Sequence, residues 1–160
     1  MTTAKKKATA HPSSAAKKPT MQFSYTALHC AQRKDSNAPT FLLFHASAVD
    51  IASWADVERL STTNKTGAQR PLRELKVAKV AKFLSAGVKN TIPTAVVIAI
   101  DTKSANFQAS EDAGCGQLTL TLEQGGKKPG LIIDGQHRVF GALKFSSDMH
   151  LNVIGLLGGD

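Results

Sequence analysis

Only two cysteines occur in the chain, Cys30 and Cys115, and neither stands in a CxxC or CxxxH setting. That spacing suggests neither a disulfide framework nor a zinc site, and it fits a reducing, cytoplasmic location. No apolar run is long enough to span a bilayer. The lysines near the N-terminus are not followed by the apolar stretch of a secretory signal. Aromatic residues are scarce at 6%, so the core must be mostly aliphatic. No internal repeat is visible. Acidic residues are missing altogether from residues 1–20, which hold Lys5, Lys6, Lys7, Lys17 and Lys18.

That local absence explains most of the basic character. The net charge is +8 over 160 residues, and beyond residue 20 the chain has 15 basic against 12 acidic residues. Residues 1–20 are expected to be a disordered basic tail, either simply solvated or touching nucleic acid by neutralising its phosphates without reading sequence. Residues 21–160, with ordinary apolar and charged content, are enough for one globular domain.

Within it the apolar spacing alternates between strand and helix periods. A short strand is expected over Met21 to about Leu28 and a buried strand over Thr40–His45. Ser47 is placed as a helix N-cap, followed by Val49, Ile51, Trp54, Val57 and Leu60 at roughly helical spacing, with Trp54 in the core. Pro71 is expected to open a second helix running to about Ser85, whose buried stripe is Val77, Val80, Ala81 and Leu84. Thr94–Ile100 is continuously apolar and reads as a strand covered on both faces. Residues 102–116 read as a loop, and Leu118, Leu120 and Leu122 as the inner side of a half-exposed strand. Leu131-Ile132-Ile133 is a strand, Gln136–Phe145 a helix, and Leu151–Leu157 a last strand. The pattern predicts an α/β or α+β domain with a mixed sheet and flanking helices.

The polar cluster at Asp134-Gly135-Gln136-His137-Arg138 stands out between that strand and that helix. A strand that ends in Asp-Gly and opens a helix gathers free backbone N–H groups at a positive dipole end, which favours an anion. Gly135 permits a close approach or a positive φ. Arg138 offers planar, bidentate recognition of phosphate or carboxylate. Asp134 can hold a metal, orient Arg138 or His137, or act as a base. Packing alone predicts an ordinary turn in which Asp134 caps the helix and Arg138 is a surface charge, and residue chemistry leaves both readings open. Arg73, four residues before Val77, is placed on the buried stripe, where it either meets an anion in a cleft or snorkels to water. Arg70 lies just before Pro71 and reaches the same region. Lys76, Lys79 and Lys82 are expected on other, solvated faces.

The pentapeptide is identical to the signature of the DGQHR-domain family, whose best-known member type is DndB, a regulator associated with DNA phosphorothioate modification. Gln69-Arg70-Pro71-Leu72, the helix Val77–Leu84, then Ile92-Pro93 and an apolar strand resemble the block that precedes the signature in that family. The resemblance covers roughly residues 38–157. More distantly the turn is similar to the ParB/sulfiredoxin-like fold, where a Gly-x-x-Arg or Gly-Cys-His-Arg turn holds nucleotide phosphates. Where a sulfiredoxin has its reactive cysteine this chain has Gln136, so sulfinic-acid reduction is not implied. Family members usually run well past the strand after the motif helix, so residues 21–160 are expected to be an amino-terminal portion of a longer fold. The resemblance implies a protein linked to DNA modification, phage defence or its transcriptional control. In it, Gly135, Gln136, His137 and Arg138 hold phosphate of a nucleotide such as ATP, and Arg70 or Arg73 closes the site. Asp134 organises the turn or a Mg²⁺, and Asp134 and His137 position water if a nucleoside triphosphate is hydrolysed. Two other classes stay open. One is a non-catalytic DNA-binding regulator, with Arg138 and the lysine tail on backbone phosphates. The other is a nuclease with Asp134 as metal ligand, although two-metal cleavage wants more acids than one.

Overall fold

The structure, a computed structural model, describes residues 19–35, 38–57, 72–111 and 114–158. These form eight strands and three helices: β1 (Thr20–Ala31), β2 (Thr40–Ser47), α1 (Ala48–Trp54), β3 (Ala55–Asp56), α2 (Glu74–Ser85), β4 (Val96–Ile100), β5 (Ala105–Ala109), β6 (Cys115–Glu123), β7 (Gly130–Asp134), α3 (Gln136–Phe145) and β8 (His150–Leu157). All the strands join one sheet in the order β3-β7-β4-β8-β2-β1-β6-β5. β4 runs parallel to β8 and β3 to β7, and the other pairs are antiparallel. The expected mixed sheet with flanking helices is what forms.

Strand alternation sets the two faces. Leu42, Phe44 and Ala46 of β2, Leu151 and Val153 of β8, and Val96 and Ile98 of β4 are at most 5% exposed. They share one core with Ile51 and Trp54 of α1, Leu84 of α2, and Val139 and Ala142 of α3. Trp54 is fully buried, as expected. Its indole N–H donates to Tyr25 OH at 2.9 Å, and Tyr25 in turn donates to Asp50 Oδ2 at 3.4 Å. Burial pushes the Tyr25 phenol well above its ordinary range. The opposite face holds Leu28, Leu43, Ile154 and Val97 in register across four strands. They are exposed or half-buried, and no described helix contributes a buried residue there. The expectation that β4 is covered on both faces is therefore corrected for the described residues: Val97 and Ala99 are only half-buried.

α1 starts where the cap chemistry puts it. Ser47 Oγ accepts the Asp50 N–H at 3.2 Å, a standard N-cap contact. The helix stops at Trp54 because Ala55 turns extended and pairs with Gly130. α2 begins at Glu74 and not at Pro71, since Arg73 has extended backbone and caps the helix without a side-chain bond. Arg73 is exposed, so its placement on the buried stripe is also corrected. The stripe itself is Val77, Ala81 and Leu84, with Val80 half-buried. Gly141 lets α3 lie close to α2, since a Cβ there would lie 2.5 Å from Val80 Cγ1.

The stretch read as a loop over 102–116 contains β5, which among the described residues pairs only with β6 at the sheet edge. It has one large apolar residue, Phe107, so its period was too weak to see. Of residues 1–20, only Pro19 and Thr20 are described: Thr20 already pairs with Glu123, and Pro19 O accepts the Gln124 N–H at 2.9 Å. No described helix is long and apolar enough to cross a membrane.

Candidate functional site

The turn after β7 is built on a glycine in the left-handed region. Gly135 has φ 95° and ψ 13°, and its carbonyl accepts the Arg138 N–H at 2.8 Å and the Val139 N–H at 3.0 Å. A Cβ there would lie 2.7 Å from Val96 Cγ1 and 3.2 Å from Arg138 Cζ. Both the dihedral and the space demand glycine.

Arg138 is turned inward. Nη1 donates to Ala95 O at 2.6 Å, Thr94 Oγ1 at 2.9 Å and Thr94 O at 3.1 Å, and Nη2 pairs with Asp134 Oδ2 at 2.5 Å. Its side chain is 23% exposed, against 70% for Asp134. One guanidinium thus ties the entry to β4, the end of β7 and the first turn of α3. A cation in that first turn opposes the helix dipole by a few tenths to about 1 kcal/mol, and the carboxylate and carbonyls offset that. Of the alternatives open at the sequence level, this geometry fits an Arg138 that pairs with Asp134 and organises the turn.

The exposed part of the site is a different set. His137 Nε2 accepts the backbone N–H of Arg73 at 3.1 Å. An accepting Nε2 requires the neutral ring, with its proton on Nδ1. Partial burial, then the charges of Lys76 and Arg73, hold the His137 pKa below its ordinary value. A depressed folded-state pKa means that the unfolded chain binds more protons. The stabilisation is therefore present above pH 6.5 or so and lost as pH falls through the lowered folded value. His137→Gln, which keeps an acceptor but does not titrate, should show a smaller fall in melting temperature between pH 7 and pH 5 than the unsubstituted chain. An identical fall in both would mean that the tie to Arg73 does not depend on the ring's charge.

Arg73 and Lys76 are exposed, and neither side chain has a hydrogen-bond or ion-pair partner among the described residues. Lys76, expected to be merely solvated elsewhere, belongs to this cluster. Gln136 is 3% exposed, so its side chain faces the interior. Arg70 and the five tail lysines lie outside the described residues. No three His, Cys, Asp or Glu side chains among the described residues gather as a metal site requires. Asp134, the expected ligand, is held by Arg138. Thr94 and Ala95 were missed as site residues. They act largely through backbone carbonyls some forty positions before Arg138, which side-chain chemistry does not announce.

The family model for DndB, described as DNA-sulfur modification-associated, matches residues 31–148, more than half of the chain. The chain belongs to the DndB family. The matched span contains β2, α2, β4, β7 and α3, and so the whole described site. Membership links the chain to DNA sulfur modification in general terms. No curated protein and no solved structure matches the chain.

Proposed function

We propose that the chain binds DNA in a sulfur-modification system by gripping backbone phosphate at the exposed end of the motif turn. The observation that carries this reading is a pair of exposed basic side chains, Arg73 and Lys76, gathered over His137 at the start of α3 with no side-chain partner among the described residues. Arg73 suits a bidentate phosphate contact, Lys76 adds a point charge, and the neutral His137 ring can donate from Nδ1. Arg138 and Asp134 serve as the buckle that fixes the turn. Lys5, Lys6, Lys7, Lys17 and Lys18 would add sequence-independent attraction to the same polyanion.

The phosphate of a free nucleotide offers the same chemistry, and the two ligands are separable. Fluorescence anisotropy with a labelled duplex should show binding without nucleotide, and log K should fall linearly with log salt concentration. Melting curves with ATP, CTP or GTP plus Mg²⁺ should show little shift. A large shift with one nucleotide and no duplex binding in its absence would assign the turn to a nucleotide instead.

A further inference from the structure

Helix α2 carries lysine on one side only. Lys76, Lys79 and Lys82 recur at three-residue spacing, and all three are exposed. At about 100° per residue, Lys76 and Lys82 stand about 120° apart around the axis, with Leu75, Lys79 and Phe83 between them. Leu75 is 80% and Phe83 50% exposed. The acid of this helix, Glu74, lies off that face, on the side of Ala78 and Ala81. The buried stripe Val77, Ala81 and Leu84 is on the opposite side, where Val80 meets Gly141 of α3.

Solvation alone does not account for this face. Residues three and four apart on a helix are neighbours, and like charges there destabilise it. Lys79 stands three positions from both Lys76 and Lys82, and no acid stands three or four positions from any of the three. Lys76 also lies in the first turn, against the helix dipole. Among the described residues none of these side chains has a hydrogen-bond or ion-pair partner. A covering protein layer would leave the ammonium groups desolvated unless it brought an acid to each, whereas a polyanion compensates all of them. The shape matches a duplex groove. A helix with its side chains is about 10–12 Å across, and the major groove of B-DNA is about 12 Å wide. Lysines on both flanks then meet the phosphates of the two strands. The residues between them face base edges, where apolar side chains contact the thymine methyl. The 12 residues of α2 are about 18 Å long, and its start is tied to His137, so the helix and the motif turn share one approach.

We propose that α2 lies in the major groove of the bound duplex, an inference that rests on the DNA reading above and adds the groove to it. Lys76 and Lys82 meet the two phosphate strands, and Leu75, Lys79 and Phe83 face the bases. The test is fluorescence anisotropy of the full chain with labelled duplexes of one mixed sequence. In one of them every cytosine carries a glucosylated 5-hydroxymethyl group, which fills the major groove and leaves the phosphates unchanged. Affinity for it should be about tenfold or more below that for the unmodified DNA. An RNA duplex of the same sequence should lose about as much, since its major groove is too deep and narrow for side chains to read. Lys79→Glu relieves repulsion within the helix, so it should melt no lower than the unsubstituted chain, yet bind the unmodified duplex about tenfold or more weakly. Lys103→Glu makes the same change in charge at an exposed position beyond the other end of β4. Screening should hold its loss to about threefold or less. Equal affinity for the unmodified duplex and either comparison duplex would overturn the groove and leave the phosphate grip at the motif turn standing. Equal losses in Lys79→Glu and Lys103→Glu would do the same. No duplex binding by the unsubstituted chain would sink the DNA reading itself, and the groove with it.

Discussion

Gly135→Ala should lower stability by about 2–5 kcal/mol, two effects acting together. An L-residue in the left-handed region costs about 1–2 kcal/mol, and forcing a Cβ against Val96 and the Arg138 guanidinium adds overpacking of about 1–3 kcal/mol. For a chain of this size the melting temperature should drop by roughly 5–15 °C. Gly125→Ala is the matched control. Gly125 also has a positive φ, 72°, but nothing lies within 4 Å of its Cβ position. It should lose only the conformational share, about 1 kcal/mol. Equal losses at the two positions would mean that the packing of the turn against β4 is not tight.

Arg138→Ala should destabilise the chain by about 2–3 kcal/mol even without any ligand, with a drop in melting temperature of roughly 4–12 °C. The loss comes chiefly from Thr94 and Ala95, whose carbonyls give up charge-assisted hydrogen bonds worth about 1.5–3 kcal/mol. The ion pair contributes less. Asp134 is 70% exposed, and pairs screened by water are worth about 0.2–1 kcal/mol. Asp134→Asn should therefore lose under about 1 kcal/mol. Thermal melts of the two variants separate these roles. A neutral effect of Arg138→Ala with a strong effect of Asp134→Asn would contradict the inward guanidinium. An Arg138 devoted to a ligand would leave apo stability unchanged on truncation.

Residues that act through local chemistry were legible in the sequence. α3 spans Gln136–Phe145 as its period predicts, Ser47 caps α1, and Trp54 is in the core. The Asp134–Arg138 turn sits between strand and helix, and the family it resembles is the family to which the chain belongs. What failed to show were arrangements set by distant partners. Arg73 looked like a first-turn residue because Pro71 is a good helix start, yet its N–H is tied to His137, 64 positions on. That tie holds the backbone extended and turns the side chain over to solvent. Lys76, three positions on, lies near enough for its charge to lower the His137 pKa. Val97 and Ala99 read as doubly covered because an apolar run records the hydrophobicity of both faces, whereas among the described residues both are only half-buried.

Duplex binding by Arg73→Ala/Lys76→Ala, followed across about 50–200 mM salt, separates a phosphate grip by Arg73 and Lys76 from two merely solvated side chains. Both residues are exposed and bear no side-chain bond among the described residues, so the variant should melt as the unsubstituted chain does. Its affinity should fall about tenfold or more, and the slope of log K against log salt should flatten by about 1.8, since each lost phosphate contact removes about 0.9. An unchanged affinity and slope in a normally folded variant would mean that Arg73 and Lys76 do not meet phosphate.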